Sequence, residues 1–294
     1  MSKKLLIFDG NHLAYRAFYK FSNLRTLDKV NTSIVYGMPY IAESIIRRLS
    51  PDKVFLTFDG GRSKFRLDVL PSYKERDKKL GFDAEDFFRQ KDLGKEIFKA
   101  FGIQVAQKKH YEADDLIAMI TRRYVDNGYQ IIIVSGDKDF NQLISEKVNV
   151  YNVSKNKAYS VDNCKEELGY EPEQCVDYLT LLGDKSDNIP GYPGIGPVKA
   201  VQFLEEFGSI KEFLNSTAKF GKVDKEKLEE IWKRNKKLID LKYFYRRFLR
   251  TESIPWENPD ATMDLDKLRK ICGANEINSF LKPQFINTFK QINT

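Results

Sequence analysis

The chain predicts an α/β fold: a central, mostly parallel sheet covered by helices, followed by a second, helical region. Three observations carry this. Short apolar runs each lead into an aspartate: Leu5-Leu6-Ile7-Phe8-Asp9, Val54-Phe55-Leu56-Thr57-Phe58-Asp59 and Ile131-Ile132-Ile133-Val134-Ser135-Gly136-Asp137. Helical patterns lie between them, over residues 33–49 and 114–126. After about Cys175 the pattern turns helical. Nearly continuous apolar strands alternating with helices argue a parallel sheet buried on both faces. The expected division is residues 1–175 for the α/β part and 176–294 for the helical part.

The first run, after Met1-Ser2-Lys3-Lys4, is too short for a secretory core and reads as a buried strand. No apolar run approaches the roughly 18 residues of a membrane span. Cys164, Cys175 and Cys272 are odd in number and far apart, so neither a disulfide framework nor a zinc site follows. The expectation is an intracellular, cytoplasmic protein with no membrane contact. Between the second strand and the next helix, residues 62–99 are dense in charge, lack strand signals and are interrupted by Pro71 and Gly81. Such a long insertion in a compact domain is usually functional. It is expected to be helical, with a basic face around Lys74, Arg76, Lys78 and Lys79.

Acids recur where ligands bind such sheets, beyond the carboxyl ends of the strands. A single aspartate there is an ordinary helix cap, but three strand ends carry one. Glu112, Asp114 and Asp115 crowd a helix start, more than capping needs. Asp137 and Asp139 follow the third strand, and Asp184 and Asp187 repeat the theme. Crowded acids repel unless cations offset them. Hard oxygen donors without a Cys or His cluster select Mg²⁺ or Mn²⁺ over zinc. His12 and His110 are the only histidines and read as satisfied polar side chains.

Gly191-Tyr192-Pro193-Gly194-Ile195-Gly196-Pro197-Val198-Lys199-Ala200 opens a helix over residues 197–207. Gly194 and Gly196 let backbone approach a phosphate, the helix start offers free N–H donors, and Lys199 adds charge. Such a grip holds duplex backbone without reading bases. The basic stretch over residues 225–249 and the net charge of +7 suit the same polyanion. With nine acids set aside for cations, 49 basic residues face 42 less nine acids.

These motifs, in this order from Leu5 to about Gly208, resemble the 5′-nuclease family: the 5′-nuclease domains of bacterial DNA polymerase I, the bacteriophage 5′-exonucleases and the flap endonucleases. The match runs through Phe8-Asp9-Gly10-Asn11, Phe58-Asp59-Gly60, Phe65-Arg66 to Tyr73-Lys74, Glu112-Ala113-Asp114-Asp115, Gly136-Asp137-Lys138-Asp139, Gly183-Asp184 to Asn188-Ile189-Pro190-Gly191 and Gly194-Ile195-Gly196. The resemblance implies a PIN-like sheet and a two-metal centre of Asp9, Asp59, Glu112, Asp114, Asp115, Asp137, Asp139, Asp184 and Asp187. It implies that residues 62–100 form a helical arch, from which Lys74 reaches the scissile phosphate, Tyr73 stacks on a base and Arg76 contacts DNA. Arg16 matches a further phosphate contact. Residues 183–207 would be the helix–three-turn–helix that holds the duplex, with a K⁺ between its carbonyls and the DNA. The substrate implied is DNA with 5′ ends, flaps or nicks, met by a monomer in replication or repair. Lys185 and Ser186, between two of the acids, depart from the family pattern. No polymerase domain and no clamp-binding tail are recognisable. An inactive DNA-binding relative, a Mg²⁺-dependent phosphatase and an RNA-cleaving relative are the alternatives; the complete acid set, the duplex grip and the arch weigh against them.

Overall fold

The computed structural model describes residues 3–75 and 83–292. Strand β1 (Lys4–Asp9) runs through the middle of a six-stranded sheet. It is followed by α1 (Gly10–Lys20), α2 (Ser33–Leu49), β2 (Lys53–Gly60), α3 (Lys64–Val69), α4 (Ala84–Ala100) and β3 (Gln104–Lys109). Then come α5 (Ala113–Asp126), β4 (Gln130–Val134), β5 (Val148–Asn152) and β6 (Lys157–Tyr159). The strand order is β3-β2-β1-β4-β5-β6, and all but β6 run parallel. Ile7 pairs with Phe55 on one side and Ile133 on the other.

The apolar runs are continuous because both faces are covered. Leu6, Phe8, Val54, Leu56 and Phe58 pack under α1, α2 and α4. Leu5, Ile7, Phe55, Ile131 and Ile133 pack under α5. Alternation along each strand sends successive side chains to opposite cores. A third core, with Tyr170, Leu179, Phe203, Phe213 and Leu228, holds the helical region. It is built from α6 (Cys164–Leu168), α7 (Cys175–Leu182), α8 (Pro197–Phe207), α9 (Ile210–Asn215) and α10 (Lys225–Ile239).

The chain then returns to the sheet. After α11 (Leu241–Phe244), Trp256 bridges Ala106 and Met263 bridges Phe101, next to and beyond the edge strand β3. Helices α12 (Leu265–Ala274) and α13 (Pro283–Lys290) send Leu268, Cys272, Phe285 and Phe289 into the first core, with Phe289 stacked 4.1 Å from Phe101. Sequence reading grouped this segment with the helical region. Apolar spacing marks a helix as buried without naming the surface that buries it. No helix among the described residues is long and apolar enough to cross a membrane.

Candidate active site

Asp9 closes β1 and caps α1. Its Oδ1 accepts N–H bonds from Asn11 and His12 at 3.1 and 3.0 Å, and its Oδ2 accepts the Ser135 hydroxyl at 3.0 Å. Ser135 Oγ accepts in turn from Asp137 N at 3.2 Å, which ties the ends of β1 and β4 together. His12 Nε2 accepts from Gly136 N at 3.2 Å, so this histidine is a satisfied structural group. A Cβ on Gly136 would fall 2.5 Å from that nitrogen, which explains the glycine. Asp59, at the end of β2, accepts from Ala113 N at 2.8 Å and so meets the start of α5.

At that start the three clustered acids divide. Asp115 is fully buried and grips Arg66 with both oxygens, at 2.7 and 2.9 Å. It also accepts Glu112 N at 3.1 Å, completing a capping box. Asp115 therefore leaves the predicted cluster: its charge is neutralised beneath the site and it does not line the cleft. Arg66, 2% exposed, also donates Nε to Leu238 O at 2.9 Å and lies 4.8 Å from the Phe244 ring. Residue type and spacing marked the acid, but only the fold supplies the arginine that claims it. Tyr73 is a second correction. Its ring, expected to stack on a base, is 2% exposed in the third core, and its hydroxyl donates to Glu112 Oε2 at 2.8 Å.

Above this layer lies a cleft of about 490 Å³, lined by Asp9, Asp59, Glu112, Asp114, Asp137 and Asp187 with Lys74 and Lys91. Six of the nine predicted acids thus face one space. Asp139 and Asp184 flank it, with Lys138 Nζ 3.1 Å from Asp184. Lys74, at a positive φ of 51°, places Nζ 3.0 Å from Glu112 and 3.7 Å from Asp187. Sequence reading missed Lys138, Lys91 and Ser135; the first and last stand beside predicted acids, and that adjacency was the available signal. Arg76 lies outside the described residues, as do Lys78 and Lys79.

The electrostatics follow from crowding in a partly desolvated space. Burial, reinforced by Glu112 and Asp9, lifts the Asp59 carboxyl to about 6. Burial and neighbouring acids also raise Asp114, Asp137, Asp139 and Asp187. Glu112 goes the other way: its burial is outweighed by Arg66 and Lys74. Asp184 is also lowered, since Ser186 and Lys138 outweigh its burial. Burial opposes the charge on Lys74, yet Glu112 and its neighbours hold the ammonium above the ordinary lysine range.

Among the described residues no three Asp, Glu, His or Cys side chains converge as a ready-made shell for one ion. The donors present nevertheless fit hard divalent cations. Glu112 Oε1 is buried without a hydrogen-bond partner. The raised carboxyls are ones whose charge a cation would stabilise, and the available donors are oxygens.

The predicted grip is a separate surface. Gly183-Asp184 pairs with Ile189-Pro190 in a short antiparallel hairpin. A Cβ on Gly183, at φ 72°, would fall 2.3 Å from Gly191 N, so the hairpin cannot accept a side chain there. Gly194, at φ 82°, and Gly196 face open space. Gly196 precedes α8 with no side-chain cap and Pro197 at its first turn, leaving N–H groups toward solvent. Lys199 is exposed, with Nζ 3.2 Å from Gly194 O. Arg16 sits on α1 beside the cleft and donates Nη1 to Ser154 Oγ at 2.7 Å, while its buried Nε has no partner.

Comparison with known proteins accords with this arrangement. Residues 4–169 match the model of a 5′-3′ exonuclease N-terminal resolvase-like domain, and residues 170–262 that of a 5′-3′ exonuclease C-terminal SAM fold. A 5′-3′ exonuclease of Aquifex aeolicus is 33% identical over 285 residues, covering 95% of this chain and 94% of that protein. DNA polymerase I of Bacillus caldotenax is 34% identical over 242 residues, but these are 27% of the polymerase, so the chain spans about a quarter of such relatives. Among solved structures, a bacteriophage T5 flap endonuclease in a pseudo-enzyme–product complex with DNA and metal ions superposes with a TM-score of 0.72. That match has 23% identity and covers 93% of this chain and all of that one, and it shows the shared fold. With two domain models matched in order and a relative aligned along nearly its whole length, the chain belongs to the 5′-3′ exonuclease family.

Proposed function

We propose that the chain hydrolyses DNA phosphodiesters near 5′ ends, acting as a 5′→3′ exonuclease and as an endonuclease at 5′ flaps and nicks. The observation that carries this reading is the cleft itself: six carboxylates from three strand ends, one helix start and the hairpin, facing the ammonium of Lys74. Asp9, Asp59, Glu112, Asp114 and Asp137 would hold two divalent ions, Mg²⁺ or Mn²⁺, with Asp139, Asp184 and Asp187 flanking. Bound ions supply an activated water and neutralise charge on the reacting oxygens. Lys74 offers a donor to the phosphate as negative charge develops on it. Tyr73 and Arg66 hold Glu112 in place from below. Ser135 fixes Asp9 against the start of the β4 loop.

Duplex DNA would lie on the backbone N–H groups at Gly194 and Gly196, with Lys199 and Arg16 as phosphate contacts. Loop carbonyls of the helix–three-turn–helix over residues 183–207 would hold a K⁺, which would add positive charge where this surface meets DNA. Action as an intracellular monomer in replication or repair is the setting this chemistry suits. A labelled 5′-flap duplex tests the reading, with nicked, gapped and blunt duplexes and p-nitrophenyl phosphate as controls. Cleavage of flapped and nicked DNA in Mg²⁺ or Mn²⁺, abolished by EDTA, is expected. Cleavage undiminished in EDTA would overturn the metal assignment, and hydrolysis of p-nitrophenyl phosphate alone would replace the nuclease by a phosphatase.

A further inference from the structure

We propose that Lys91, set between Asn11 and the ring of Phe88 at the cleft, binds a second DNA phosphate, the one adjacent to the scissile phosphate on its 5′ side. The inference rests on the nuclease reading above and assigns it a further subsite. Lys91 occupies the buried stripe of α4, with Phe87, Gly94 and Phe98 at helical spacing, where packing calls for an apolar side chain. It is 9% exposed and lines the same cavity as Asp9, Asp59 and Lys74. Its Nζ lies 3.3 Å from Asn11 Oδ1 and 5.0 and 5.9 Å from the centroids of Phe88 and Phe58. Lys74, Lys138 and Arg66 each hold a carboxylate at ion-pair distance. Lys91 has no carboxylate that close among the described residues. A buried ammonium without a counter-ion is costly, and an anionic ligand removes the cost. The same burial pulls its pKa below the ordinary lysine value, with Asp59 and Asp92 opposing.

The elements that carry the two lysines point to which phosphate this is. Lys74 pairs with Asp187, and Asp187 stands in the hairpin that leads to α8. On the nuclease reading, that hairpin and α8 carry the duplex. Lys91 is carried by α4, which packs on α2 and α1 and lines the same cleft. A strand whose duplex rests on the hairpin and whose scissile phosphate meets the carboxylates reaches Lys91 on its 5′ side. Phe88, 53% exposed, and Tyr15, packed 4.6 Å from Phe87, line the cavity there and offer ring faces to the base of that nucleotide.

The test is single-turnover cleavage, in Mg²⁺, of a 5′ flap whose phosphate next to the scissile one, on the 5′ side, is a neutral methylphosphonate. Wild-type protein should cut this substrate about 10-fold or more slowly than the unmodified flap, the scale of losing one charge-assisted contact. Lys91→Ala should be slowed by a similar factor on the unmodified flap and show no further loss with the methylphosphonate. Lys91→Arg should keep the sensitivity. A melting curve checks folding, and Lys91→Gln carries the comparison if the alanine variant is unstable. Two results would overturn the proposal: a wild type indifferent to the methylphosphonate, or a Lys91 variant as sensitive to it as wild type. The latter is what a lysine serving only as counter-charge to Asp59 would give. Failure of wild type to cut the unmodified flap would instead overturn the nuclease reading itself.

Discussion

Asp114 and Asp115 are neighbours in sequence and opposites in setting. Asp115 sits in a closed anchor, both of its oxygens held by Arg66 beneath Glu112 and Tyr73. Asp114 opens into the mouth, where Asp9, Asp59 and Asp137 repel it and Lys74 is the counter-charge. The difference shows that an acid's role is set by what the fold brings to it. The anchor pairs its charges, whereas the mouth leaves carboxylates repelling one another, a repulsion that cations would relieve on the proposed reading.

The mouth should respond most in activity. Asp137→Asn keeps the shape and removes a charge, so flap cleavage is expected to fall at least ~10²-fold. If Asp137 were only the cap that its bond to Asp139 N suggests, asparagine would serve as well. Near-parent cleavage would then remove it from the site. Lys74→Ala should slow the single-turnover rate on the order of 10²-fold while weakening DNA binding far less, because one cation among many contributes little to affinity. An unchanged single-turnover rate would show that Lys74 is not at the reacting phosphate.

The pH dependence sharpens the contrast. Asp59 titrates at about 6 in the folded chain against an ordinary 3.8. The folded state therefore holds the proton more tightly between those values. Its contribution falls as pH rises through that window, and metal-free protein loses stability there. Asp114, Asp137, Asp139 and Asp187 shift in the same direction, while Glu112 and Asp184 oppose them. In EDTA, Asp59→Asn should flatten the fall in melting temperature between pH 4 and 6. An unchanged slope would remove Asp59 from the repelling set.

The smallest effect belongs to the separate grip. Lys199→Ala should reduce the slope of log affinity against log salt by about 0.9, one phosphate contact, equally for all duplex sequences. A changed sequence preference at constant slope would contradict a backbone grip.

Much of this was legible before any coordinates. Apolar runs ending in Asp9, Asp59 and Asp137 gave the parallel sheet and the end of it that matters, because burial on both faces leaves a continuous apolar run that sequence displays directly. Gly183 to Gly196 announced a tight loop. What stayed hidden depends on partners distant in the chain. Arg66 reaches Asp115 across 49 positions and Leu238 across 172. Tyr73 became a core residue because the helical region closes over it. The packing of α12 and α13 onto the sheet was hidden for the same reason, as was Lys91, a charge on an apolar stripe.

The most direct test of the anchor-and-mouth account is equilibrium denaturation of Asp114→Asn and Asp115→Asn side by side, in EDTA near pH 7. Asp115→Asn leaves Arg66 buried without its bidentate partner and should lose about 3–5 kcal/mol. Asp114→Asn removes a repelling charge and should hold or gain stability. Equal losses in the two variants, or a greater loss for Asp114→Asn, would contradict the account.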